Sequence, residues 1–252
     1  MTIRIVLLIT LFFFHVDSSF AAQFSRTKPV KFKLHDKGAT FEFCYNWSCN
    51  EMMDVDLNAK FLDKIAAKIK KCATSAENEL LAIRNAIRDA ENQILLEHEI
   101  FVNDIAGNKL DKLKEGALDC VDNSSNTNAM LHLMEKRNPF KYWKVDKPYG
   151  RGFFRPHWTA TLRTEDKDFI NKYRDKTQIG KKDYTIWTMD TWLTTFAFNP
   201  FLFEINDWLD ALDPWGNDLY RGLYHTKLEC WGPIEPRTRE DKPPDESTVS
   251  DR

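Results

Sequence analysis

The chain of 252 residues carries 36 lysines and arginines against 38 aspartates and glutamates, a formal net charge of −2. The two signs are interspersed, which argues against a nucleic-acid binder with its basic face. The length suits one sizeable domain, at roughly 100–200 residues per domain.

The first residues, "MTIR", are basic, and the apolar run that follows, "IVLLITLFFFHV", falls short of the about 20 residues a membrane span needs. "DSSFAA" then offers Ser19 and Ala21 in a small-x-small pattern, so residues 1–21 read as a signal peptide cut after Ala21. No later stretch is apolar enough to cross a bilayer. The expectation is an exported soluble protein, periplasmic or secreted, with a single α+β domain over 22–231. "GPIEPRTREDKPPDESTVSDR", with almost no apolar content, predicts a disordered tail over 232–252.

"KPVKFKLHDKGATFEFCYNW" alternates apolar and polar residues around "DKG" and predicts a β-hairpin. In "LNAKFLDKIAAKIKKC", Leu57, Phe61, Ile65 and Ile69 recur every four residues, which predicts a helix with "KIKK" on its solvated side. "TSAE" at 74–77 has the form of a capping box, with Thr74 as cap and Glu77 reaching back. The helix it opens extends to about residue 98 with Leu80, Ile83, Ile87, Ala90 and Ile94 as its apolar stripe. "NDIAGNKLDKLKEG" reads as a loop, and "NAMLHLMEKR" as the body of a third helix. "FKYWKV" reads as a strand followed by a Gly/Pro-rich turn; "HWTATLRT" and "YTIWTMDTW" alternate strictly and read as strands. "DPWGND" marks a turn.

Cys44, Cys49, Cys72, Cys120 and Cys230 are an odd number for an oxidising compartment. Cys44 and Cys49 are close enough in "CYNWSC" for a local bridge, and Cys72 and Cys230 can pair if the chain ends meet. The spacing leaves the connectivity open and at least one cysteine over; the context of Cys120 makes it the candidate. It lies in "GALDCVDNSSNT", where Asn123, Ser124, Ser125 and Asn126 are poor helix-interior residues but good first-turn ones, so a helix start near Asp119 is expected. There the free N–H groups and the helix dipole favour a thiolate. The flanking aspartates, one suited to capping and the other to the dipole, oppose it.

A nucleophilic cysteine needs a base. His132 lies 12 positions after Cys120 on the same helix and well around it. His98 ends a long charged helix and is expected to be exposed; His35 and His225 complete the histidines of the mature chain. His157 opens the strand "HWTATL" on its polar face, with Trp158, Ala160 and Leu162 turned to the core. Asp190, at the end of an apolar strand, needs a charged or donating partner, and a histidine on the neighbouring strand supplies one, through Nδ1–H. A metal site from Asp119, Cys120, Asp122 and His157 is the weaker alternative, because the spacing matches no standard zinc motif. The sequons at Asn46 and Asn123 read as chance matches. No cofactor is called for.

The order "LDCVDNSSNT", "HWTATL", "MDTW" resembles the transglutaminase-like cysteine peptidases of the papain-like superfamily. More narrowly, together with "ENELLAIRNAIRDAEN" and "FVNDIAGN", it is similar to a group of exported bacterial proteins, over about residues 40 to 210. The resemblance implies helices packed on an antiparallel sheet, with Cys120 as nucleophile at a helix N-terminus, His157 as base and acid, and Asp190 as orienter. It implies acyl transfer to water or to an amine, with hydrolysis of an amide or peptide bond as the default; location suggests protein or peptidoglycan peptides as substrate. The rival is a non-catalytic binding module on the same fold. Two departures stand out: Leu118 occupies a position where the family often has glycine, and the link over 163–183 is long where a short turn is usual. That link is read as a charged surface excursion rather than a lid.

Overall fold

The computed structural model describes residues 29–105, 115–152, 156–173, 183–210 and 228–232. The expected signal peptide, "DPWGND", His225 and the tail beyond Gly232 lie outside the described residues.

The amino-terminal hairpin forms as expected. Strands β1 (Phe32–His35) and β2 (Gly38–Tyr45) pair around a turn at Asp36 and Lys37. Gly38 is required there: its φ is +141°, and a Cβ would meet the Leu57 carbonyl oxygen at 2.0 Å. The hairpin grows by a third strand that sequence periodicity did not predict, β3 (Glu51–Asn58), giving an antiparallel sheet in the order β1-β2-β3. Leu57, assigned above to a helix, is instead a buried strand residue paired with Ala39. Helix α1 (Ala59–Cys72) starts two residues later because Asn58 accepts the Phe61 N–H and caps it.

Helix α2 (Ala76–Glu97) is capped by Ser75, which accepts from the Asn78 N–H, not by Thr74. Thr74 accepts from the Asn78 side chain, so the neighbouring hydroxyl won the cap. The predicted stripe is buried, but so are Leu81, Ala82, Arg84, Ala86 and Arg88, and the helix is enclosed on most sides. Glu79, inside it, accepts from the N–H groups of Lys141 and Tyr142 and so anchors the next segment.

A short parallel pair, β4 (Val102–Asn103) and β5 (Ala117–Leu118), leads into helix α3 (Cys120–Arg137). The second sheet is antiparallel in the order β6-β7-β8-β9: β6 (Trp143–Arg151), β7 (His157–Thr164), β8 (Thr185–Asp190) and β9 (Phe201–Glu204). β6 runs through Lys147–Arg151, where a turn was expected; a bulge between Asp146 and Tyr149 absorbs Pro148. Helix α3 packs on β2 of the first sheet and on β6 and β7 of the second. The mixed α+β class with antiparallel sheets is thus as expected.

The link after β7 is not a plain surface excursion. Its helix α4 (Lys167–Tyr173) buries Phe169 and Ile170, and the Phe169 ring packs edge-on to Trp143 and Trp187 at 5.1 and 5.3 Å. Helix α5 (Ile205–Asp210) follows β9. Disulfides join Cys44 to Cys49 and Cys72 to Cys230, the second tying α1 to a 3-10 turn at Glu229–Trp231, and Cys120 is the free cysteine. No helix among the described residues is long and apolar enough to cross a membrane.

Candidate active site

Cys120 is the first residue of α3, His157 the first of β7 and Asp190 the last of β8. All three are buried, at 7%, 4% and 1% exposure. His157 Nε2 lies 2.6 Å from Asp190 Oδ2. The pairing is the expected one, but the nitrogen is not: Asp190 meets Nε2 rather than Nδ1. An ionised Asp190 therefore selects the tautomer protonated on Nε2 and leaves the Nδ1 lone pair free for a proton. Nδ1 is buried and makes no hydrogen bond among the described residues.

The Cys120 Sγ sits against the main chain on both sides of His157. It donates to the Pro156 carbonyl oxygen at 3.5 Å and takes the Trp158 N–H. Burial pushes the thiol well above its usual range; the charge of Asp119 adds to this, the Trp158 N–H offsets part of it, and Asp190 and Asp122 raise it further. The resting side chain is a thiol, not the thiolate that the helix dipole alone would favour.

The two flanking aspartates have defined roles. Asp119 caps α3 by accepting from the N–H groups of Val121 and Asp122, and Asp122 reaches back to the Asp119 N–H. This reciprocal capping box uses Asp in place of Glu. The Cys120 N–H is the first-turn donor that the cap does not use. Burial, and then the charge of Asp119, push the Asp122 carboxyl up to about 8.

Both aspartates also hold the disulfide loop. Ser48 donates its N–H and hydroxyl to Asp119 Oδ2 at 3.0 and 3.2 Å, and the Cys49 N–H donates to Asp122 Oδ1 at 2.6 Å. Asn46, Trp47, Ser48 and Cys49 have φ of 59°, 63°, 57° and 53°, one turn of left-handed helix built without glycine. Such a residue costs about 1–2 kcal/mol relative to the right-handed form, so the turn persists only because the disulfide and the carboxylates hold it. Asn46 further accepts the Gly116 N–H and donates its own N–H to the Ala117 carbonyl oxygen.

The polar run after Cys120 is not a solvated first turn. Asn123 through Thr127 are all buried. Asn126 pairs with the Cys44 main chain in both directions, at 2.7 and 2.8 Å, and so pins α3 to β2. Asn123 donates to the Asp119 carbonyl oxygen and accepts from the Thr191 hydroxyl, which also meets Thr127. Asn103 donates to the carbonyl oxygens of Thr191 and Thr194. The residue after Asp190 is thereby bonded to the helix that carries Cys120. A glycan on Asn123 is excluded by this burial.

Sequence reasoning missed the aromatic enclosure. The imidazole of His157 lies between Trp192, at 4.4 Å between centroids, and Trp208, at 5.2 Å. The Trp208 Nε1–H also donates to Asp190 Oδ2 at 3.0 Å. The Arg151 guanidinium stacks over the Trp208 ring at 4.6 Å and donates to the Trp208 carbonyl oxygen. Trp192 stood in the "MDTW" motif and was the legible signal; Trp208 carried none, because its partner Asp190 is on another element. The face of β7 that alternation assigned to polar surroundings is accordingly buried.

The metal set Asp119, Cys120, Asp122 and His157 does not converge. Among the described residues the group with ligand spacing is Cys44, Cys49 and Asp122, and its two sulfurs are joined in a disulfide. His132 is half-buried beside Glu135 and takes no part in the site.

No protein-family model matches the chain, and neither a curated protein nor a solved structure is significantly similar to it.

Proposed function

We propose that the protein is a cysteine-dependent acyl-transfer enzyme of transglutaminase-like type, with a papain-like core, that hydrolyses an amide or peptide bond outside the cytoplasm. The observation that carries this reading is the buried His157–Asp190 pair at 2.6 Å, with the Cys120 thiol bonded to the carbonyl oxygen of Pro156, the residue before His157. Asp190 orients the imidazole, and Nδ1 is the acceptor that remains. Because burial, and then the charges of Asp119 and Asp190, hold the proton on sulfur, deprotonation accompanies attack rather than preceding it. Sγ turns from the Pro156 carbonyl oxygen, gives its proton to Nδ1 and bonds the substrate carbonyl carbon. The Cys120 N–H faces the oxyanion, and His157 returns the proton to the leaving amine. Water then releases the acid from the thioester; an amine in its place makes a cross-link. The two disulfides agree with an exported protein, and location makes protein or peptidoglycan peptides the substrate class.

A second reading, a non-catalytic binding module, is favoured by the closure of the site, with Cys120 only 7% exposed and its thiol pushed up. Incubation with peptidoglycan fragments or unfolded protein, quenched in acid and analysed by mass spectrometry, separates the two. The enzyme reading expects an acyl adduct on Cys120 that hydroxylamine removes and that Cys120→Ala lacks. Unmodified Cys120 with tight, stoichiometric binding supports the module. Added primary amine appearing in the product identifies a cross-linker.

A further inference from the structure

The left-handed turn at 46–49 and its disulfide stand outside the triad, yet the turn is bonded to both aspartates at the start of α3 and to the strand that leads into it. Two main-chain N–H groups and a hydroxyl go to Asp119 and Asp122, and Asn46 exchanges two bonds with Gly116 and Ala117. Cys44 and Cys49 share an apolar cluster with Cys120, Val121 and Trp158. Four successive non-glycine residues at positive φ do not hold that form unaided. Once the Cys44–Cys49 bond is absent, the turn relaxes toward right-handed or extended backbone and the N–H groups of Ser48 and Cys49 swing away. Asp119 and Asp122 then lose the donors that hold them, and the cap that places Cys120 loosens with them. The remote Cys72–Cys230 bridge makes no such links among the described residues and serves as an internal control.

We infer that the 46–49 turn is a positioning element for Cys120, and that closure of Cys44–Cys49 is the oxidative step that makes the site competent. The inference rests on the reading of Cys120 as nucleophile. The chemistry is a two-electron oxidation: two thiols lose two protons and two electrons, one S–S bond forms, and an oxidant bearing its own disulfide is reduced to a dithiol by exchange through a mixed disulfide. A reduced chain is therefore inactive, and the chain gains its reactive centre where disulfides form. In the folded protein both sulfurs are buried, at 0% and 1% exposure, so the bond, once made, is shielded from small reductants.

The test compares iodoacetamide modification of Cys120, read by peptide mass spectrometry over a pH series, in paired variants with and without His157→Ala. Cys44→Ser/Cys49→Ser leaves Cys120 as the sole thiol. In the wild type and in Cys72→Ser/Cys230→Ser, His157→Ala lowers the rate about tenfold or more. In Cys44→Ser/Cys49→Ser that dependence disappears, and the rate follows an ordinary thiol ionising near about 8.5. Ser48→Pro keeps both disulfides but excludes positive φ and removes the N–H given to Asp119; it shows the same loss and covers the case in which the double variant does not fold. Ser48→Gly in the Cys44→Ser/Cys49→Ser background favours the left-handed form and restores part of the His157 dependence. A wild-type profile in both Cys44→Ser/Cys49→Ser and Ser48→Pro overturns the inference and leaves the nucleophile reading intact. Absence of His157 dependence in the wild type overturns both.

Discussion

Cys120 keeps its proton in the folded protein because it is buried, with Asp119, Asp190 and Asp122 nearby, so in the proposed mechanism its reactivity depends on what His157 can accept. Asp190 supplies that capacity through Nε2. Asp190→Asn keeps the shape but removes the charge that stabilises the imidazolium, and activity should fall about 100-fold or more, read as initial rate on any turned-over peptide. Trp208→Phe keeps the ring beside His157 but removes the Nε1–H from a carboxylate oxygen. It should destabilise by about 1.5–3 kcal/mol in chemical denaturation, and its pH–rate profile should move where a cavity variant's would not. Asp122 allows a signed prediction. Its folded carboxyl is pushed up to about 8, above the unfolded value of about 3.9. The folded state thus binds the proton more tightly. The associated stability is complete below the unfolded value and is lost as pH rises through about 8. Denaturation midpoints should fall over that window in the wild type, and the fall should flatten in Asp122→Asn. Unchanged slopes would show that Asp122 is ionised throughout.

Helix α3 is held from two sides, by Asn126 on β2 and by Asn123 on the residue after Asp190. Asn126→Ala strands the buried N–H and C=O of Cys44 and should cost about 1–3 kcal/mol, with Cys120 exchange protection falling alongside it. On the sheet, Gly150 lies opposite Trp158, whose ring would meet an added Cβ at 2.9 Å. Gly150→Ala should displace Trp158 from the Cys120 cluster, visible as a change in near-ultraviolet circular dichroism. Several of these elements were legible. The Cys, His and Asp each end or begin an element with a local signature: a cap, a strict alternation, an apolar strand. Others were not, for physical reasons. Alternation in "HWTATL" tells which residues share a face but not that Trp192 and Trp208 cover it. Thr74 and Ser75 are adjacent hydroxyls, and only the backbone decides which one caps. Nothing in "NWSC" announces four positive φ values, because carboxylates from residues far along the chain impose them.

Across the molecule, the two disulfides divide the work. Cys72–Cys230 closes a separation of 158 residues and ties α1 to the carboxy-terminal part of the described chain. Its removal by double serine substitution should cost about 4–5 kcal/mol in the chain-entropy picture, with little effect on Cys120 reactivity. Counting and context pointed to one odd cysteine, but the pairing of the other four comes from the fold, and so does the closure of the site: all three candidate residues are buried. In the proposed enzyme a substrate reaches Sγ only after a local displacement, and the half-buried Trp192 packs against both His157 and the cluster that contains Cys120. The central claim is that Cys120 is a nucleophile driven by His157, and it is tested most directly by alkylating the native protein with and without His157→Ala. The account predicts modification at Cys120 alone, slowed about tenfold or more by the substitution. Equal rates in the two proteins, or a Cys120 that reacts only after unfolding, would contradict it.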